Sequence, residues 1–192
     1  MKIAIFGSGN GSNFQALAEY IIKNKNQYKL VMVICDKPNA YILERAKKLN
    51  IQSYLVDYNQ HKSKTDAEKS IIDLLVNDEV DYILLAGFMK ILSTSFIDKF
   101  QNRIINIHPS LLPSYPGIGA IKKAYDNHDE YIGVTTHYVD GGVDTGKIIL
   151  QDKIKVNYEK SLEEITHEIH KIEHVLYIKT LQKLLQNYEQ RD

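Results

Sequence analysis

Tryptophan is absent from this chain of 192 residues, and cysteine occurs once. A lone cysteine excludes an internal disulfide and suits a reducing compartment. Cys35 falls within a hydrophobic run, so inert core is its expected role. An excess of either charge is also missing, since Lys plus Arg and Asp plus Glu stand at 24 each. No overall field would draw in nucleic acid or an anionic membrane. No apolar run approaches the roughly 18 residues of a membrane span. One lysine and four apolar residues before Gly7 are too few for a signal-peptide core, so a cytoplasmic location is expected. Internal repeats, low-complexity tracts and linkers are lacking too. The 44% apolar and 25% charged residues are then read as one globular domain over 1–192 with a sizeable core.

Proline is scarce, with four in the chain, yet three of them crowd into one stretch, Arg103 to Gly117, RIINIHPSLLPSYPG. Arg103 to Ile107 is a β-branched run that predicts a buried strand. Side chains two apart on a strand share a face, so Asn106 and His108 should point the same way off its end. Pro109 restricts His108 to an extended backbone. Pro113 and Pro116 then keep a helix from starting nearby. An amide and an imidazole are thereby fixed where a strand gives way to a loop, the place where open α/β sheets bind ligands. A polar cap on a turn is the bland alternative for either residue alone.

The remaining chain alternates strands and helices. Strands are predicted at Lys2 to Phe6, Lys29 to Cys35, Ile51 to Val56 and Val80 to Ala86. Helices are predicted at Asn13 to Lys25, Ala40 to Leu49, Thr65 to Val76 and Ser95 to Phe100, from apolar residues at helical spacing. Alternation of this kind implies a mostly parallel, twisted sheet with right-handed crossovers. After Gly117 a helix over Ile118 to Tyr125 is expected. Two strands follow, Gly133 to Val139 and Lys147 to Val156, joined by the glycine loop DGGVDTG. Ser161 and Glu164 form a capping box that opens a long helix through Ile165, Ile169, Ile172, Val175, Leu176, Leu181 and Leu185.

Three further motifs carry chemistry. Gly7 to Asn13, GSGNGSN, lies between a strand and a helix, where free N–H groups and the helix dipole attract an anion. It is neither the dinucleotide fingerprint nor a P-loop, although Asp36 after the second strand imitates the ribose-binding acid of NAD proteins. Asp140 to Gly146 lacks the calcium-loop spacing because Gly142 stands where an acid or amide is needed. His170, Glu173 and His174 match H-x-x-E-H, but no third ligand cluster accompanies them, so a polar helix face and no metal are expected.

NIHPSLLPSYPG followed by DGGVDTG, with SGNGSN at the N-terminus, resembles the folate-dependent formyltransferases over nearly the whole chain. The resemblance implies a formyltransferase fold: single-domain α/β, helices on both sheet faces and a Rossmann-like N-terminal half. It implies transfer of a formyl group from 10-formyltetrahydrofolate to the amine of 5'-phosphoribosylglycinamide, a step of purine biosynthesis. Asn106, His108 and Asp144 are then the catalytic residues, with Asp144 set against His108. Gly11, Ser12 and Asn13 would hold the substrate phosphate, and His170 and Glu173 would lie against that substrate. The folate would be lined by Lys64, Met89, Lys90, Ile91 and Leu92, by Asn106, and by Asp140, Gly141, Gly142, Val143 and Asp144. The N-terminal half is thus assigned the phosphoribosyl substrate and the C-terminal half a share of the folate pocket.

Family members often have arginine where Lys64 and Lys90 stand, and histidines near Gly119 and Ile121. The partners expected are these two small molecules, with neither nucleic acid nor membrane, in a monomer or homodimer. Formyltetrahydrofolate deformylase and methionyl-tRNA formyltransferase share the Asn-His-Asp set. The first usually carries an extra N-terminal domain, whereas the first strand here begins at Lys2. The second carries an extra C-terminal domain for which 192 residues leave no room. A non-catalytic nucleotide-binding module is the alternative from another class.

Overall fold

A computed structural model describes residues 1–190. Two compact units make up the chain, the first Met1–Ile105 and the second beginning at Asn106.

In the first unit the hydrophobic runs become strands β1 (Lys2–Gly7), β2 (Lys29–Cys35), β3 (Ser53–Leu55) and β4 (Tyr82–Leu85). β1 pairs in parallel with both β2 and β4, and β2 pairs in parallel with β3. The crossovers are helices α1 (Ser12–Lys23), α2 (Tyr41–Lys48), α3 (Lys64–Asn77) and α4 (Thr94–Lys99). α1 turns Phe14, Leu17, Ala18 and Ile21 inward, each at 2% exposure or less. Each large side chain so buried contributes roughly 1.5–3 kcal/mol. Ile22, one residue and so about 100° further round the helix, is left half exposed. Phe6 on β1 meets Phe88 and Phe96 edge-on, with ring centroids 5.3 and 6.3 Å apart.

The chain passes from the first unit to the second within β5 (Ile104–His108). Helix α5 (Ala120–Asp126) follows, then β6 (Tyr131–Tyr138) and β7 (Ile148–Lys155), an antiparallel pair around the glycine loop. Helix α6 (Leu162–Glu189) starts at the predicted capping box, with both Ser161 and Glu164 hydrogen bonds in place. Ile165, Ile169, Leu176, Leu181 and Leu185 are buried, whereas Val175 sits on the outer edge of the stripe. Among the described residues the strands order β3-β2-β1-β4-β5-β6-β7 in one seven-stranded sheet. The mostly parallel α/β architecture expected from the alternating pattern is what forms. No helix among the described residues is long and apolar enough to cross a membrane.

Candidate functional site

In the second unit, β5 delivers Asn106 and His108 at its C-terminal end, and the β6–β7 loop delivers Asp144. Asp144 Oδ2 lies 3.3 Å from His108 Nδ1 and accepts the backbone N–H of Gly117 at 2.8 Å. Its Oδ1 accepts from Asn106 Nδ2 at 3.2 Å. The three residues that the sequence singled out are therefore in direct contact. Asp144 adopts a left-handed backbone, φ 55°, which aspartate tolerates better than most side chains. Its carboxyl is held down at about 2, first by the His137 side chain, against the opposing effect of burial, and further by the Gly117 N–H and by His108. Asp144 is thus a carboxylate at any pH near neutrality.

His108 is 6% exposed and meets an acceptor on each nitrogen: the Asp144 carboxylate on Nδ1 and the Tyr115 carbonyl, 2.8 Å away, on Nε2. An imidazolium, with one N–H per nitrogen, satisfies both. His137 completes the cluster, its Nε2 being 3.3 Å from Asn106 Nδ2 and 3.5 Å from Asp144 Oδ1. Sequence reasoning passed over His137. The available signal was strand alternation, which puts it two residues from Thr135 on one face of β6.

The segment after β5 is stapled from that same face. Thr135, fully buried, donates its hydroxyl to the Ser110 carbonyl at 2.7 Å. It accepts from the Leu112 N–H and from Gln151 Nε2, at 3.1 and 2.8 Å. Gly133 lets Leu111 lie flat against β6, since a Cβ there would come within 2.5 Å of the leucine side chain. The proline-stiffened segment is thereby fixed where its Tyr115 carbonyl and Gly117 N–H reach the histidine and the carboxylate. In the glycine loop, Asp140 is a scaffold: its Oδ1 accepts from the Gly142 N–H and the Thr145 hydroxyl. The Thr145 hydrogen bond is the main cause of its lowered carboxyl pKa. Val143 between them is half exposed.

On α6, His170 Nδ1 stands 2.8 Å from Glu173 Oε2, and Glu173 is 5% exposed. The hydrogen bond to Glu173 raises the His170 pKa, against burial, which lowers it. Among the described residues no group of three His, Cys, Asp or Glu side chains could hold a metal ion.

In the first unit, Gly11 caps α1 with φ 77°, without any side-chain cap bond and with no acid in the first turn. The N–H groups around Ser12 and Asn13 thus open a helix whose dipole favours an anion. Helix α2 braces this turn. A Cβ on Gly11 would meet Ile42 at 2.8 Å, and the Ile42 N–H donates to the Gly9 carbonyl at 3.1 Å. Arg45, which sequence reasoning also missed, grips Asn10 twice, through the backbone oxygen and Oδ1, both at 2.8 Å.

Ser8 joins this loop to the one after β4. Its N–H donates to the Gly87 carbonyl at 3.1 Å, and its hydroxyl accepts from the Met89 N–H at 2.8 Å. The apolar residues of that segment divide in two. Phe88 and Leu92 are core, whereas Met89 and Ile91 stand 68% and 70% exposed. Lys90 Nζ lies 5.2 Å from the Tyr58 ring centre, and Lys64 lies 3.8 Å from the buried Glu68 carboxylate.

A family model for formyl transferases matches residues 1–181. The chain is 40% identical over 184 residues to the phosphoribosylglycinamide formyltransferase of Bacillus subtilis, covering 96% of this chain and 94% of that one. Among solved structures, a glycinamide ribonucleotide transformylase of Symbiobacterium toebii superposes with TM-score 0.93 at 32% identity. That match covers 97% of this chain and 88% of the other. A phosphoribosylglycinamide formyltransferase of Streptococcus pneumoniae superposes with TM-score 0.89 at 38% identity, covering 95% and 98%.

Proposed function

We propose the function from one premise, that this chain belongs to the formyl transferase family. It transfers a formyl group from 10-formyltetrahydrofolate to the amine of 5'-phosphoribosylglycinamide. The products are formylglycinamide ribonucleotide and tetrahydrofolate, within purine synthesis. The observation that carries the reading is the contact of Asn106, His108 and Asp144 at the end of β5.

As the amine attacks the formyl carbon, negative charge develops on the formyl oxygen. The amine loses a proton, and the folate nitrogen gains one when its bond to that carbon breaks. Asn106 can donate an amide N–H to the oxygen, and a donor so placed is worth roughly 2.7–4 kcal/mol when deleted in another enzyme. As the imidazolium that its two acceptors satisfy, His108 supplies positive charge, and Asp144 fixes the orientation of the ring. With its N–H groups engaged by Asp144 and Tyr115, His108 acts through that charge. A direct hydrogen bond from Nε2 requires the Tyr115 carbonyl to give way.

Gly11, Ser12 and Asn13 are assigned the substrate phosphate, supported by the uncapped, acid-free start of α1. His170 and Glu173 are assigned contacts to the same substrate. Exposed Met89 and Ile91 fit a flat apolar ring system, and Lys64 and Lys90 fit its carboxylate tail. Leu92, being buried, shapes that segment from beneath. Val143 and the Asp140–Gly142 turn are assigned to the folate as well.

The test is a reaction with both substrates, followed by separation of products. Formylglycinamide ribonucleotide and tetrahydrofolate in equal amounts are expected. Formate released at the same rate without the acceptor would support a deformylase instead.

A further inference from the structure

Glu68 is a carboxylate on α3 that is 2% exposed and that the reaction above leaves unused. A charge withdrawn from water in this way costs free energy unless donors meet it. Ser93 supplies two of them. Its backbone N–H reaches Glu68 Oε1 at 3.0 Å, and its hydroxyl donates to Oε2. The same hydroxyl oxygen accepts the Phe96 N–H at 3.2 Å and so caps α4.

Ser93 closes the segment of Met89, Lys90, Ile91 and Leu92, whose other end Ser8 fixes through Gly87 and Met89. One turn before Glu68, on the same face of α3, stands Lys64, half exposed and with Nζ 3.8 Å from Oε1. A charge-assisted hydrogen bond would be about 2.7–2.9 Å long, so the carboxylate steers the ammonium without closing on it. That leaves the ammonium N–H groups able to meet a second carboxylate. Glu68 also acts on Tyr58, the ring facing Lys90. Burial pushes the pKa of the Tyr58 hydroxyl well above its usual range, and the Glu68 charge adds to the rise.

We propose that Glu68 is a positioning residue for the folate tail, holding the Lys64 ammonium at a set place beside the Met89–Leu92 segment. The inference rests on the assignment of that segment and of Lys64 to the folate. A half-exposed lysine without such a partner samples many rotamers, and ordering it on binding costs free energy. Glu68 restricts those rotamers before the ligand arrives. Ser93 engages both oxygens of Glu68, which keeps the carboxylate from drawing the ammonium into a closed ion pair.

The test is calorimetric binding of two probes to the full chain, tetrahydrofolate and its neutral diamide, in which both glutamate carboxylates are amides. The ratio of the two dissociation constants measures what the charge of the tail contributes. Glu68→Gln, nearly the same in shape, should lower that ratio by roughly two- to fivefold, the worth of a partly exposed ion contact. Affinity for the diamide should change little. In a Lys64→Met background the same substitution should leave the ratio as it is. Ser93→Ala, which frees Oε2 to close on the ammonium, should lower the ratio too, and it serves where melting shows that Glu68→Gln does not fold. An unchanged ratio in either variant would overturn the proposal, as would equal losses for both probes, which a merely structural role predicts. A raised ratio in Glu68→Gln would make Glu68 a competitor for Lys64 and overturn it as well. So would an undiminished effect in Lys64→Met. If the unaltered chain binds neither probe, or binds both equally, the folate or tail assignment fails first and the inference falls with it.

Discussion

Gly117 donates its backbone N–H to Asp144 Oδ2 at 2.8 Å, the same oxygen that faces His108. The carboxylate is thus fixed by main chain as well as by the group it serves. That backbone donor and the two histidines favour the ionised form, and burial does not overcome them.

Asp144→Asn should lower kcat by up to roughly 10⁴-fold, the loss when an aspartate that orients a catalytic histidine is neutralised in another enzyme, with modest changes in KM. A second expectation concerns stability. The Asp144 carboxyl falls from 3.8 to about 2 in the folded chain, so its contribution is fully present above the unfolded value. It is lost as pH falls from about 4 to about 2. Acid unfolding followed by circular dichroism should show less pH dependence over that interval in Asp144→Asn. Identical slopes in the two proteins would contradict the assignment.

Much of this site was legible because its side chains sit in local patterns. Asn106 and His108 are two apart on a strand closed by a proline, and periodicity placed that strand to within a residue. The glycine turn before α1 and the capping box of α6 were visible for the same reason, each being a property of neighbours in sequence. Tyr115 and Gly117 were not legible, since they act through a carbonyl and an N–H that every residue possesses. Arg45 and His137 were missed because their partners, Asn10 and Asp144, come from other elements. The resemblance, not spacing, brought Asp144 to His108. Val175 was counted into the α6 stripe because apolar character was read, while packing decides which edge of a stripe is covered.

Arg45→Ala should raise KM for the phosphoribosyl substrate several-fold, with kcat and the folate KM little changed. The reason is geometric: both bonds to Asn10 are lost, and Asn10 leads directly into Gly11, Ser12 and Asn13. Arg45→Lys keeps the charge without the planar fork, and so should recover only part of the affinity. Gly11→Val is a different matter. A side chain at φ 77° would be strained and would press on Ile42, so a fall in melting temperature should accompany any change in KM. Equal rises in KM for both substrates in Arg45→Ala would mean that the turn serves the fold and not one ligand.

The His170–Glu173 pair should make stability depend on pH in the opposite sense to Asp144. The histidine pKa is raised by the hydrogen bond to Glu173. Its contribution is therefore complete below about pH 6.5, the ordinary histidine value, and disappears as pH rises through the folded value. The difference in melting temperature between the unaltered chain and His170→Ala should be larger at pH 6 than at pH 9. A difference independent of pH would show that packing, and not the ion pair, is lost.

Thr135→Val tests whether the segment after β5 is held by hydrogen bonds or by shape alone. Valine nearly matches threonine in volume, so the core around β6 is preserved. The hydroxyl, however, donates to Ser110 and accepts from Leu112 and Gln151. Its removal leaves buried polar groups on Ser110 and Leu112 without that partner, at a cost of roughly 1–3 kcal/mol each. Gln151 keeps its bond to the Leu112 carbonyl at 3.0 Å, which leaves the segment one tie to β7. The same segment carries the Tyr115 carbonyl to His108 and the Gly117 N–H to Asp144. Loosening it should therefore reduce kcat by at least tenfold while the chain still folds at lower melting temperature. KM for the phosphoribosyl substrate, assigned to the turn before α1, should move little. Lower stability with kcat retained would mean that the proline-stiffened segment holds its own shape without the threonine.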